Sequence, residues 1–214
     1  MLGKLVIATT VGALIGAAVV ATAAPELNLR GNRFKPLAYA ELTPAQKAVV
    51  DKEFAAGRTP GGGPFNINLR SPELAELHAP VTNYLRFQAP IDRKLKELAT
   101  MLTARYWGGQ YPWYSHRQQA LDASLKPSII TAMAEGVRPT GMTDDEAIMY
   151  DFVNDLLETR RITDASFKAF AGRFGERAMV ETIGIIGHFS ELTMLFQADN
   201  YPVPKGPDEI KTAK

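Results

Sequence analysis

Apolar residues recur at helical spacing through most of this chain. The clearest stripe contains Leu95, Leu98, Leu102 and Tyr106, which lie three or four positions apart. Residues 176–199 are apolar on nearly every face, as in a helix that is central or lies at a subunit interface. No stretch alternates apolar and polar residues as a half-buried strand does. The pattern predicts an all-α protein, a bundle of about seven or eight helices.

Capping and helix-breaking residues indicate where these helices begin and end. Thr43-Pro44-Ala45-Gln46 and Thr143-Asp144-Asp145-Glu146 have the form of capping boxes, which start helices. Gly175 is expected to end a helix, and Pro80 to kink or split one. The glycine- and proline-rich segment 59–64 is predicted to be a loop, either a plain linker or a lid over a site.

The first 24 residues have the form of an export signal. Lys4 precedes an apolar run from Leu5 to Val20, and Ala21-Thr22-Ala23 is a small-x-small cleavage pattern. Cleavage would give a periplasmic or secreted protein with no stable membrane association. The alternative is an uncleaved anchor, because Leu5 to Ala24 is about as long as a membrane-spanning helix of ~20 residues.

Composition and charge narrow the classes of function. At 214 residues, with 46% hydrophobic and 22% charged positions, the chain is expected to form one globular domain. We predict this domain at 43–204, after an extended arm at 25–42 and before a flexible tail at 205–214. Removing Lys4, the only charged residue of the first 24, leaves 23 basic and 23 acidic residues, which gives no electrostatic basis for binding nucleic acid. The chain has no cysteine, so it cannot be a disulfide scaffold.

A family resemblance is carried by the segment from Lys96-Glu97-Leu98-Ala99 to Trp113-Tyr114-Ser115-His116. It resembles the carboxymuconolactone decarboxylase family, which includes the alkylhydroperoxidase D thiol peroxidases, and the likeness covers roughly residues 36–204. The peroxidase branch has a glutamate, a Cys-x-x-Cys pair and a histidine. Glu97 and His116 match the glutamate and the histidine, whereas Gly109 and Pro112 stand where the cysteines would be.

The missing thiols limit what the resemblance implies. Thiol peroxidase chemistry needs a thiolate and a resolving thiol, so the resemblance implies the alkylhydroperoxidase D-like fold without that activity. The segment Tyr111 to His116 resembles a Tyr-Glu-Trp-x-x-His variant of the subfamily without cysteines. Pro112 replaces the usual acid there, which removes one carboxylate from beside His116.

Glu97 and His116 are the candidate catalytic residues. Glu97 lies ~130° from the centre of the apolar stripe of its helix, on a second packed surface or a pocket wall, unless it is a solvated glutamate. A carboxylate can orient a histidine and stabilise its charged form, so the pair would be a proton relay acting on carbon next to a carbonyl.

Four further residues are candidates for binding the substrate. Arg105, Tyr111, Trp113 and Tyr114 could donate to a developing enolate oxygen, and Arg105 could hold a carboxylate by a two-point contact. The alternatives are core packing for the aromatic residues and a surface cation at a helix end for Arg105.

The leading hypothesis is an exported, homo-oligomeric lyase of the decarboxylase type, acting on a small carboxylate or lactone without a cofactor. The first alternative is a non-catalytic small-molecule-binding or assembly protein on the same fold. The second is a metal or haem binder using His116 and a secondary candidate, His188. No metal site is predicted, because the chain has only three histidines and no His-x-x-x-His pair. The remaining histidine, His78, is expected to be structural.

Overall fold

A computed structural model of the protein describes residues 25–206 and 209–211. Within these ranges the chain forms eight α-helices and no strand, which confirms the predicted all-α class. The helices are α1 (Pro44–Ala55), α2 (Phe65–Asn68), α3 (Pro72–Asn83), α4 (Arg93–Tyr106), α5 (Gln110–Asp122), α6 (Pro127–Glu135), α7 (Asp144–Asn154) and α8 (Asp164–Asp199). A short 3₁₀ turn, Tyr39–Glu41, precedes α1, and the π-helical turns Tyr84–Gln88 and Asp155–Thr159 follow α3 and α7.

The main core is built around α4. This helix packs against α5, α7 and α8, and every residue from Glu97 to Ala104 is buried. Leu98, Ala99, Met101 and Ala104 are fully buried there. Because α4 is covered on so many sides, a polar residue on it must find a partner inside the protein.

Three predicted helix boundaries are confirmed. Thr43 and Thr143 both accept the backbone N–H of the third helical residue, and the side chains of Gln46 and Glu146 accept the N–H of the capping residue. Gly175, at φ 83° and ψ 164°, divides α8 into two helical segments at the predicted place. Pro80 does not split the helix, since α3 continues past it to Asn83.

The segment before α1 is anchored by the end of α8. Asp199 is fully buried and its carboxylate accepts the backbone N–H of Asn32 at 3.0 Å and of Phe34 at 2.7 Å. A smaller apolar cluster, formed by Leu42, Val50 and Leu69, lies between this segment and α1.

The two ends of the chain differ in what the structure describes. The predicted signal, residues 1–24, lies outside the described residues. At the other end the structure differs from the predicted flexible tail. Ile210 is buried, its N–H donates to Gln110, and the N–H of Lys211 donates to Ala134. Ile210 supplies the apolar contact that the polar residues around it do not offer.

None of the helices described here is both long and apolar enough to cross a membrane.

Candidate active site

Glu97 and His116 meet between α4 and α5. The two helices are joined by a tight turn at Gly108, whose φ of +65° is readily adopted by glycine. The turn folds α5 back along α4, and Glu97 Oε2 then lies 2.7 Å from His116 Nδ1. Both residues are buried, at 9% exposed for Glu97 and 7% for His116. The two candidate catalytic residues are therefore within hydrogen-bond distance of each other, as a proton relay requires.

The His116 ring borders a cavity of about 240 Å³ between the loop after residue 60, α3, α5 and α8. All three histidines of the chain line it, which the sequence did not indicate. Phe189 forms one wall and packs edge-on against His116, with ring centroids 4.9 Å apart. Since Nδ1 of His116 is held by Glu97, proton transfer with a ligand would go through the other ring nitrogen, Nε2.

His188 lies in α8 beside the same cavity. Its Nε2 is 3.1 Å from Thr82 Oγ1, and its ring is edge-on to His78 at 6.4 Å between centroids. Burial, together with smaller contributions from the nearby His78 and Arg86, lowers the pKa of His188 to about 4. His188 is therefore neutral at physiological pH. His78 itself pairs with Glu191, at 3.2 Å from Nδ1 to Oε1.

The cation of the cavity is Arg86, which the sequence analysis missed. Arg86 lies in the π-helical turn after α3, is half-buried, and lines the cavity with His116 and His188. Its Nη2 donates to Gln119 Oε1 at 3.1 Å. The carbonyl oxygen of Arg86 accepts from Lys96 Nζ at 2.9 Å, so the turn is tied to α4. These contacts hold a guanidinium at the edge of the cavity.

Arg105 was predicted to line this site, and the structure places it elsewhere. It lies eight residues after Glu97, so it is ~12 Å further along α4 and ~80° around it. Its guanidinium lies over Gly136 at the end of α6, where an added Cβ would meet Nη2 at 2.0 Å. A cation there stabilises the end of α6. Arg105 is half-buried in this position, so it is not the surface cation that was the alternative.

The three aromatic candidates lie in three different environments in the structure. Tyr111 lines the cavity; its hydroxyl accepts the N–H of Gly63 at 3.3 Å and its ring packs against Phe196. Trp113 is 1% exposed and belongs to the main core. Tyr114 is 40% exposed and lies beside Gly206. Trp113 and Tyr114 therefore do not line the cavity, because α5 directs them to other faces.

Two solved structures are similar to this arrangement of helices. One is an uncharacterized peroxidase-related protein from Ralstonia eutropha JMP134, described as an alkylhydroperoxidase AhpD core; it has a TM-score of 0.61 and 12% identity, over 79% of this chain and 90% of that one. The other is a protein of unknown function from Agrobacterium tumefaciens, with a suggested role in antioxidant defence as AhpD; it has a TM-score of 0.59 and 15% identity, over 68% of this chain and all of that one.

The protein has the alkylhydroperoxidase D-like fold. At these identities the likeness establishes the fold and leaves the chemistry to the site itself. No family model and no curated protein matches the sequence.

Within this alkylhydroperoxidase D-like fold, both cysteine positions are filled by other structural features. Gly109 packs so closely on α8 that an added Cβ would lie 2.4 Å from Thr193 Cγ2. Pro112 is buried and forms part of the cavity wall near His116. Gly109 thus allows α5 and α8 to approach, and Pro112 adds an apolar surface where the subfamily that the sequence resembles has an acid.

The described part of this alkylhydroperoxidase D-like chain contains no group of three or more histidine, cysteine, aspartate or glutamate side chains that could hold a metal ion. The nitrogens of the histidines are already committed in part: His116 to Glu97, His78 to Glu191 and His188 to Thr82. The arrangement is suited to proton transfer, because two of the three rings have a carboxylate partner.

Proposed function

We propose that the protein is an exported acid/base enzyme of the decarboxylase or lyase type, acting on a small carboxylate or lactone without a thiol or a cofactor. The observation that carries the proposal is the buried Glu97–His116 pair at the wall of a cavity that also holds Arg86. Export rests on the sequence of residues 1–24 alone. The proposal does not extend to thiol peroxidase activity, because the chain has no cysteine.

His116 would be the group that moves the proton. With Nδ1 donating to Glu97, neutral His116 has a basic Nε2 that can take a proton from carbon next to a carbonyl. The imidazolium that forms is stabilised by the Glu97 carboxylate. In the decarboxylation direction, loss of CO₂ from the substrate carboxylate leaves an enolate, and the imidazolium form of His116 would give its proton to that carbon. The neutral imidazole that results would take one proton from water before the next cycle.

Arg86 would hold the anionic end of the substrate. Its guanidinium can donate two charge-assisted hydrogen bonds to a carboxylate, or to the oxygen on which enolate charge develops. His188 cannot compete as a cation, because burial lowers its pKa to about 4. A neutral His188 can instead donate or accept a hydrogen bond within the cavity.

A thermal-shift screen of small carboxylates and lactones tests the proposal, because a ligand that binds the native state stabilises it. Compounds that raise the melting temperature are then assayed for turnover, with a peroxide assay coupled to a dithiol reductant run in parallel. We expect a stabilising ligand that is turned over, and no peroxide consumption above buffer. Dithiol-dependent peroxide turnover would overturn the assignment.

A non-catalytic binding protein is the second candidate. The observation favouring it is Pro112, which puts an apolar wall beside His116 where the similar subfamily has a carboxylate. For a binder, ligands would stabilise the protein in the screen, and no carbon–hydrogen or carbon–carbon bond of the bound ligand would change.

A further inference from the structure

A second depression on the surface, which we call the outer groove, adjoins the cavity. It has a volume of about 530 Å³ and lies between α1, the loop after residue 60, α3 and the π-helical turn after α3. The cavity and the outer groove have five lining residues in common: Pro64, Asn68, His78, Thr82 and Arg86. A single ligand could therefore occupy both, passing Arg86 on its way out.

Apolar side chains supply much of the outer groove. Phe65, Ala75, Ala79 and Phe87 lie along it. Phe87 is 68% exposed, although exposed aromatic rings of this kind are unfavourable in water. The guanidinium of Arg86 lies over its ring, 4.9 Å from the centroid. The groove thus offers an apolar path that begins at the cation of the cavity.

The charges at the rim of the outer groove are paired with each other. Arg58 binds Glu53 through two hydrogen bonds, of 2.7 and 2.8 Å, and Lys52 pairs with Glu76. This rim offers no unpaired charge that would attract a charged group. The part of a ligand that lies here is therefore expected to be uncharged and apolar.

We infer that the ligands of this site are amphiphilic carboxylates, with a compact polar head in the cavity and an apolar tail in the outer groove. The inference rests on the proposed function, because Arg86 and His116 receive the head. It adds that affinity depends on the length of an alkyl or aryl tail, which Ala75, Ala79 and Phe87 would cover. The tail contributes to affinity only; the reaction of the head at His116 is the one given in the proposed function.

Isothermal titration of straight-chain carboxylates tests this inference. Butanoate, hexanoate and octanoate, each below its micelle concentration, are titrated into the full mature chain. Burying one CH₂ is worth ~0.8 kcal/mol, or about a fourfold change in Kd. Because the groove is open on one side, we expect octanoate to bind at least tenfold more tightly than butanoate.

Two exposed alanines provide a matched pair of variants. Ala79 lines the outer groove on α3, whereas Ala48 is exposed on α1 and does not line the groove. Ala79→Glu should reduce the ratio of the affinity for octanoate to the affinity for butanoate at least fivefold. Ala48→Glu should leave this ratio unchanged. Circular dichroism verifies that both variants are folded.

The outcomes separate this inference from the proposed function. Equal affinity for butanoate and octanoate, or an affinity ratio that Ala79→Glu does not change, overturns the binding of a tail in the outer groove. Neither result contradicts binding of the carboxylate head in the cavity. Failure of every carboxylate to bind overturns both. A chain-length dependence that disappears in Ala79→Glu supports the inference.

Discussion

Glu97 Oε2 lies 2.7 Å from His116 Nδ1, inside the protein and between two consecutive helices. The contact is set by the chain itself, because the turn at Gly108 reverses the direction between α4 and α5. Burial of both groups makes the hydrogen bond stronger than it would be in water. The histidine is thus held in one orientation with one nitrogen toward the cavity.

The cation at the cavity can be identified by comparing two arginines. Arg86→Gln should weaken the binding of octanoate or any other stabilising carboxylate at least tenfold, since a charge-assisted pair is lost. Arg105→Gln should leave that affinity unchanged, because Arg105 lies over Gly136. Titration calorimetry measures both. Loss of affinity in Arg105→Gln but not in Arg86→Gln would restore the placement inferred from the sequence.

His188 should make the stability of the protein depend on pH. Its pKa is about 4 in the folded state, against 6.5 for the ordinary side chain. Between these values the unfolded state binds a proton that the folded state does not, so stability falls as pH decreases from 6.5 to 4. In His188→Gln, whose amide can still bond to Thr82, the decrease in melting temperature over this range should be smaller. Parallel curves for the two proteins would contradict the assignment.

An ion pair between the half-buried Lys94 and the buried Glu146 joins α4 to the start of α7. Lys94 Nζ lies 2.8 Å from Glu146 Oε1, and Glu146 is 1% exposed. Burial raises the pKa of Glu146, but hydrogen bonds from Lys94 and Thr143 outweigh it and the pKa is lowered. Lys94→Met leaves this carboxylate buried without its cation and should cost ~3 kcal/mol in urea unfolding. Lys52→Met, which breaks the exposed pair with Glu76, should cost less than ~1 kcal/mol; equal costs would contradict this account.

Association through α8 remains a prediction. Val180, Ile183 and Met194 are 69%, 40% and 45% exposed on this helix, and apolar surface of this kind favours an interface. We expect light scattering to give the mass of a homo-oligomer at micromolar concentration. Val180→Lys with Ile183→Lys should shift the mass toward the monomer. A monomeric wild-type protein would contradict the prediction.

The sequence predicted the helices and the Glu97–His116 pair of the site. The physical reason is different in the two cases. Periodicity and capping residues are local, so the helices and the boundaries at Thr43, Thr143 and Gly175 could be inferred. Glu97 and His116 lie on neighbouring helices joined by glycines, so their contact followed from a family resemblance and a short connection. Tyr111 lines the cavity, whereas Trp113 and Tyr114 do not. Distinguishing them requires the rotation of α5 about its axis, which proximity in sequence does not give.

Arg86 could not be predicted because its position depends on an irregular turn. The π-helical segment Tyr84–Gln88 contains wider turns than an α-helix, which changes the direction of the side chains in it. Nothing in the residues from 84 to 88 indicates such a turn. The docking of Ile210 was missed for a similar reason, since one apolar residue in a polar tail gives no periodic signal.

The central claim is that His116, held by Glu97, transfers protons to and from carbon in the cavity. The most direct measurement is NMR of deuterium uptake from D₂O into the carbon next to the carbonyl, for a panel of oxo acids and lactones that includes 4-oxopentanoate and γ-butyrolactone. We predict that the wild-type protein accelerates uptake for the compounds that bind. His116→Gln and Glu97→Gln should each slow it by about 10²–10⁴-fold, and the double variant by little more than the worse single one. Uptake at the wild-type rate in His116→Gln, or no uptake into any compound that binds, would contradict the account.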